Sequence, residues 1–454
     1  MSENADPAEI NRPIAIVILA AGHGSRMQSS TPKVLHEIGG LTMIGHVIKT
    51  AQALSPAHCI CVVGAGGEAV SEAATRYAPE ITIARQDPPQ GTGDAVACAM
   101  PALENFTGVV VILYADTPLV TERTISTLAN ASANGVAVLG FKPDVPGAYG
   151  RLKTDHTGAL AAIVEAKDAT PEELEIPMCN AGLMAFDGEF LRQALPQLTN
   201  DNAKGEYYLT DLVAIATADG RSATIIEAPA TDVIGVNSKH ELAVAERLFL
   251  ARAREKTQAA GALLIDPDTV YFSYDTIIEQ DVRIEPSVYF GPGAAVREGA
   301  TIKAFSHIEG ADIGPGASIG PFARLRPETT IGSGAKVGNF VEIKKTSLSE
   351  NAKVSHLTYL GDADIGASAN IGAGVITCNY DGYDKHKTTI GEAAFVGSNT
   401  ALVAPVTVGR GAYVGSGSVI TKNIDDNALA VGRGRQTQID NWAMKFRRSK
   451  GEAD

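Results

Sequence analysis

Two cations follow a glycine-rich turn near the start of the chain, Arg26 and Lys33, in Ala20-Ala-Gly22-His-Gly24-Ser-Arg26-Met and Pro32-Lys33-Val-Leu. The free backbone N–H groups of such a turn can approach phosphate oxygens closely. Two positive charges beside it suit a triphosphate, whose charge builds during phosphoryl or nucleotidyl transfer. The turn is neither the dinucleotide G-x-G-x-x-G, because Gly22 and Gly24 lack a third glycine, nor the P-loop. A second set of chemistry-bearing residues lies far downstream. Arg326 and Lys344 stand eighteen positions apart, and His356 follows twelve later. A lone histidine is as easily an exposed corner residue, but its unperturbed pKa of about 6.5 suits it to accept a proton.

Different elements must hold the two sets. Ile14–Leu19 is a continuous apolar run, the mark of a strand buried on both faces of a parallel sheet. Further runs at His58–Val63, Gly108–Tyr114 and Val136–Gly140 alternate with helical patterns at Met43–Ala53 and Gly93–Met100. This alternation predicts a doubly wound α/β domain, with ligands at the carboxyl ends of its strands. The later residues follow a period of six: Ile284, Phe290, Val296, Ile302, Ile308; Ile319, Leu325, Ile331, Val337, Ile343; Ile390, Val396, Leu402, Val408, Val414, Ile420. That period belongs to a parallel β-helix of triangular section, one aliphatic pointing inward per side and small residues at the corners. About eighteen residues then make one coil, so Arg326 and Lys344 should stack roughly 4.8 Å apart as a phosphate grip. The register breaks between Gly372 and Thr389, where Cys378-Asn-Tyr-Asp-Gly-Tyr-Asp-Lys-His-Lys387 intrudes as a loop. Between the two halves, Ser238-Lys-His-Glu241 has the form of a capping box opening a helix that Gly261 ends.

At 454 residues the chain is long enough for two or three domains. Its formal net charge of −14 argues against a general nucleic-acid or anionic-membrane binder. Five scattered cysteines without C-x-x-C pairing suggest reduced thiols, and the run Ile14–Ala21 is too short to insert in a membrane. These features predict a cytoplasmic protein.

The motifs Leu19-Ala-Ala-Gly-His-Gly-Ser-Arg26-Met and Pro32-Lys33-Val-Leu resemble the signature of sugar-nucleotide pyrophosphorylases. With the hexapeptide region, the stretch from about Ile14 to Gln438 resembles the bacterial bifunctional N-acetylglucosamine-1-phosphate uridylyltransferase / glucosamine-1-phosphate N-acetyltransferase family. The resemblance implies an α/β doubly wound nucleotidyltransferase domain followed by a left-handed parallel β-helix. Its expected bounds are 1–237 for the nucleotidyltransferase, 238–262 for a connecting helix, 263–435 for the acetyltransferase and 436–454 for a polar tail. It implies UTP and sugar contacts at Leu19, Ala20, Gly22, Lys33, Gln86, Gly91, Thr92, Gly150, Glu165, Asn180 and Asn237, with Arg26 and Lys33 catalytic. Asp116 and Asn237 match the ligands of Mg²⁺, an all-oxygen pair suited to that ion; alone, Asp116 has a lesser second reading as a helix N-cap before Thr117-Pro118.

In the second half the resemblance implies that Arg326, Lys344, Tyr359, Asn370 and Lys385 hold glucosamine-1-phosphate, with His356 the general base. Acetyl-CoA, the co-substrate, would meet Ala373, Asn379, Tyr380, Ser398, Ser416 and Arg433. The resemblance also implies a homotrimer, since similar hexapeptide acyltransferases are trimers with active sites between neighbouring subunits. The family's product feeds peptidoglycan and lipopolysaccharide precursors. Pro89, Ala115, Ala181 and Ser416 depart from the usual residues, and none removes a charged group. Two rival readings remain at this level: a pyrophosphorylase for another sugar with a purely assembling solenoid, and a non-catalytic scaffold. The tail beyond Gln436 reads as unstructured, with Trp442 unassigned.

Overall fold

The computed structural model describes residues 10–22, 24–133 and 135–451. His23, inside the glycine-rich turn, lies outside the described residues, as does most of the polar start. The chain divides into two compact units, 1–252 and 253–454.

The first unit is built on a twisted sheet. Its strands are β1 (Ile14–Ala20), β2 (His58–Gly64), β3 (Thr82–Gln86), β4 (Val109–Tyr114), β5 (Gly135–Phe141), a short hairpin of β6 (Arg151–Thr154) and β7 (Leu160–Val164), β8 (Cys179–Asp187) and β9 (Ser222–Glu227). The main order is β9-β5-β8-β4-β1-β2-β3. β1 pairs in parallel with β2 and β4, and every residue of it is buried. The apolar run encodes that two-sided burial. β8 is the exception to the parallel pattern: it runs antiparallel to β4 and β5. Helices cover both faces, so apolar side chains form one core on each side of the sheet. The turn after β1 and the ends of β3 and β4 open at the same edge, where the parallel strands end.

The helix Lys239–Ala259 follows, and its Ala245 packs with Ile38, Met43, Leu119 and Val236 of the first unit.

The second unit is the parallel coil that the sixfold period predicts. Ile390, Val396, Leu402, Val408, Val414 and Ile420 are all buried, as are the two upstream series. Three parallel ladders form its faces. The first face carries the strands at 336–339, 353–356, 370–371, 395–396 and 413–414. The second carries 324–325, 342–343, 359, 376 and 401. The third carries 329–331, 346–348, 363–365, 388–390 and 406–408.

The corners correct one expectation. Small residues do not make all of them: Phe305, Phe322, Phe340 and Leu357 occupy successive corners of one edge with φ of +59, +54, +57 and +51°. A left-handed non-glycine residue costs roughly 1–2 kcal/mol. Here the phenyl rings stack at 4.9 and 5.1 Å between centroids, and each such pair returns about 0.5–1.5 kcal/mol. The tail is likewise not structureless. Trp442–Ser449 is a helix, and Trp442 stacks on Phe446 at 5.1 Å.

Candidate active sites

In the first unit, Lys33 follows the glycine-rich turn, and Gly24 lets it pack there: a Cβ on Gly24 would fall 2.5 Å from that of Lys33. The Lys33 ammonium reaches Asp116 Oδ2 in a close ion pair, and Asn237 Oδ1 at 3.1 Å. Asp116 therefore does not cap a helix; its carboxylate meets a cation. The backbone joins the two oxygen donors as well, since Val236 N–H donates to Asp116 O at 2.9 Å. A carboxylate and an amide oxygen that converge on one cation are the donor set a hard ion such as Mg²⁺ takes, its remaining positions going to water and phosphate. The residues fit that ion. Among the described residues no cluster of three or more His, Cys, Asp or Glu forms an alternative metal site. Arg26 is exposed in the short turn Ser25–Met27.

Gln86 ends β3, nearly buried, and its amide nitrogen donates to Gly91 O at 2.9 Å and Asp94 Oδ2 at 2.8 Å. Both partners only accept here, which fixes the amide nitrogen as the donor and leaves the amide oxygen as an acceptor. Gly91 has φ +114°, and a Cβ there would lie 2.6 Å from Tyr207 O. Thr92 accepts from Leu209 N–H. Across the opening, Asn180 N–H donates to Gly150 O at 2.8 Å, and a Cβ on Gly150 would stand 3.6 Å from Glu165 Oε1. Gly150, Glu165 and Asn180 thus converge. Burial pushes the Glu165 carboxyl above its ordinary range, with Asp168, Asp211 and Glu206 adding to the shift against Lys204. Leu19 and Ala20 end β1, and Leu19 O accepts from the N–H of Ala115. Ala115 is fully buried, and Ala181 lies within β8, where the register shifts after Asn180.

In the second unit the residues fall on named edges of the prism. Arg326 and Lys344 follow in register on the edge between second and third faces, with Arg326 N–H donating to Ile343 O. Arg326 pairs with Glu342 at 2.9 Å. The intruding loop returns Lys385 to this edge. Lys385 and then Arg326 press the Lys344 ammonium below the ordinary lysine range. Three cations crowd this edge, an arrangement that an anion would relieve. Asn379 of the same loop donates to Asp362 Oδ2 at 2.5 Å, while the Tyr380 hydroxyl turns inward to Gly382 O.

His356 stands on the neighbouring edge, between first and second faces. Its Nδ1 meets Asn339 Oδ1 at 2.5 Å. An amide oxygen only accepts, so Nδ1–H is the donor, and in the neutral ring the lone pair then sits on Nε2. Above it Ala373, Ser398, Ser416 and Arg433 climb the same edge. Gly374 N–H meets His356 O, Asn399 N–H meets Ala373 O, Gly417 N–H meets Ser398 O, and Arg433 Nη1 donates to Ser416 O at 2.7 Å. Tyr359 lies on the second face between imidazole and cations. Its hydroxyl is close to Gly361, where a Cβ would fall 2.4 Å from it and 2.8 Å from Asn379 Nδ2.

Asn370 is not brought to this group. It pairs with Lys353 and Phe395 at the start of the first face. Roughly 10 Å of extended chain separates it from the His356 edge.

Sequence reasoning missed Asn339, Asp94 and Gly361. Asn339 was findable, standing one coil before His356 in the ladder; the other two carry no periodic signal.

The first unit is thus a nucleotidyltransferase and the second a hexapeptide transferase. Residues 16–175 match the MobA-like NTP transferase domain, and residues 310–345 and 387–422 match the bacterial transferase hexapeptide family. Curated relatives named bifunctional protein GlmU are 51% identical in Paramagnetospirillum magneticum, 49% in Paracoccus denitrificans and 49% in Zymomonas mobilis. These alignments cover 96, 94 and 97% of this chain and 96, 95 and 99% of the relatives. The chain belongs to the GlmU family of bifunctional proteins. It is an enzyme of UDP-N-acetylglucosamine synthesis that unites uridylyltransferase and acetyltransferase activities. Small molecules are its substrates, acetyl-CoA among them. No helix among the described residues is long and apolar enough to cross a membrane.

Proposed function

We propose that glucosamine-1-phosphate lies across the second face of the coil, its phosphate held by Arg326, Lys344 and Lys385, its ring over Tyr359 and its amine at His356. The observation that carries this reading is the placement of three cations and an imidazole on adjacent edges with one tyrosine between them. His356 Nε2 takes a proton from the substrate ammonium. The freed amine attacks the thioester carbonyl, and coenzyme A leaves as thiolate and takes up a proton. Acetyl-CoA extends along the edge of Ala373, Ser398 and Ser416, with Arg433 at a phosphate and Asn379 and Tyr380 beside the acetyl group. Asn370, remote in one chain, enters from a neighbouring copy, which supports a homotrimer.

In the first unit N-acetylglucosamine-1-phosphate is held by Gly150, Glu165 and Asn180. UTP lies against Leu19, Ala20, Gly22, Gln86, Gly91 and Thr92. Arg26 and Lys33 neutralise the triphosphate while a sugar-phosphate oxygen attacks the α-phosphorus in line and pyrophosphate leaves. Asp116 and Asn237 hold Mg²⁺, which supplies charge neutralisation at the phosphates. The functional bounds are 1–237, 238–262, 263–435 and 436–454, and the protein is cytoplasmic.

Two assays test the division of labour: thiol release from acetyl-CoA with glucosamine-1-phosphate, and pyrophosphate release from UTP with N-acetylglucosamine-1-phosphate. His356→Ala should abolish the first and spare the second, and Asp116→Ala should do the reverse. Loss of both activities in a folded His356→Ala enzyme overturns the assignment.

A further inference from the structure

The start of the helix Lys239–Ala259 departs from an ordinary capping box. Ser238 Oγ accepts from Glu241 N–H at 3.2 Å, as a box requires. The carboxylate does not return to the backbone of Ser238. Glu241 Oε2 instead accepts from Asn237 N–H at 2.7 Å and from the Ser238 hydroxyl at 3.1 Å. The reach is shifted by one residue, and the residue it holds is the one whose amide oxygen faces Lys33 beside Asp116. On the other flank Val236 N–H is tied to Asp116 O at 2.9 Å. The segment bearing Asn237 is therefore pinned on both sides, once to the carboxylate donor's own backbone and once to Glu241.

We propose that Glu241 is the positioning residue of the metal centre: its carboxylate fixes the backbone of Asn237 so that the side-chain oxygen stays aimed at the point Asp116 also addresses. This rests on the reading of Asp116 and Asn237 as the metal's protein ligands. Glu241 touches neither substrate nor metal. Its contribution is orientation, of the kind that outer partners give to ligating groups. A charged acceptor is suited to it, since its bond to an N–H is shorter and stronger than a neutral one.

Cap and anchor are separable because they use different atoms. Ser238→Ala removes the oxygen that caps the helix and leaves the carboxylate bond to Asn237. Glu241→Ala removes that bond and leaves the serine cap. Glu241→Asp keeps a negative charge at the helix start, favourable there, but is one methylene too short to reach Asn237. Glu241→Gln keeps both length and acceptor.

The experiment measures Mn²⁺ affinity of the full chain with UTP bound and no sugar phosphate present. It reads loss of the free-ion electron paramagnetic resonance signal against a Mn²⁺–UTP blank, alongside melting temperature and acetyl transfer. Glu241→Ala and Glu241→Asp should each weaken Mn²⁺ binding roughly 10–100-fold, the usual cost of losing an outer partner. Glu241→Gln should stay within about threefold of wild type, a neutral acceptor being only modestly weaker. Ser238→Ala should lower the melting temperature and leave Mn²⁺ affinity within that same margin. Acetyl transfer should persist throughout, showing that each chain is folded. Wild-type Mn²⁺ affinity in Glu241→Asp, or a loss in Ser238→Ala as large as in Glu241→Ala, overturns the proposal. Asn237→Ala tells its failure from failure of the underlying reading. If that variant binds Mn²⁺ normally, the ligand assignment itself falls; if it alone loses affinity, only the role of Glu241 does.

Discussion

Glu165 shows what a partly buried carboxyl does to the protein that carries it. Its carboxyl is partly buried, and burial raises its pKa in the folded state. In the unfolded chain it titrates near the ordinary value of about 4.3. Between those two values the native state binds the extra proton, so this group's contribution to stability is present below the unfolded pKa and lost as pH rises through the folded one. Glu165→Gln should therefore raise the melting temperature at pH 7, with the gain fading below about pH 4, while pyrophosphate release slows for want of a sugar contact. A melting temperature unchanged at both pH values would refute the assigned cost. The cysteines lie at the other extreme. Burial pushes the Cys59 and Cys61 thiols up to about 11 and about 12, so they stay protonated and inert, as the scattered spacing suggests. Much at this scale was legible in the chain: the cations behind the glycine-rich turn and those eighteen apart were visible as types and intervals. The Lys33 bridge between Asp116 and Asn237 was not, because it joins positions that only the sheet and the helix start bring together.

At the scale of the element, the long strands Glu342–Leu348 and Tyr359–Ile365 carry the proposed acetyl-transfer site around a corner. Lys344 pairs with Gly361 in this ladder. The missing side chain there leaves room for the Tyr359 hydroxyl and the Asn379 amide. Gly361→Ala should displace both and lower kcat/KM for acetyl transfer by at least about tenfold, given that a 1 Å misplacement can cost about a hundredfold. Uridylyl transfer should be untouched; an acetylation rate equal to wild type would show that neither group is held by this packing. The sixfold period announced the coil and its inward residues. It said nothing of which edge each polar residue would occupy once the intruding loop and the shorter seventeen-residue steps had shifted the count. Asn370 is the case in point: close to His356 along the chain, it is a full face away in space.

For the whole molecule, that separation yields a test of assembly. Mixed trimers of His356→Ala and Asn370→Ala chains, each inactive in acetyl transfer alone, should recover activity when co-assembled. If each site takes its imidazole from one chain and its asparagine from the next, random mixing leaves about a quarter of the sites intact. No recovery in verified mixed trimers would place both residues in the same chain's site. Uridylyl transfer, confined to the first unit, should not change in any mixture. The division into two compact units was foreshadowed by the switch from alternating β and α patterns to the hexapeptide period. The break between them was not, since the contacts divide at Arg252 and Ala253 within one continuous helix.

The edge that bears His356, Ala373, Ser398, Ser416 and Arg433 acts as a ruler. Each graduation is one strand spacing, so the backbones of His356 and Arg433, four steps apart, stand roughly 19 Å from each other, a separation set by hydrogen bonds. An acyl carrier too short to span the marks would engage one end and miss the other. If the donor lies along this edge as proposed, the stack of coils screens it by length before any chemistry begins.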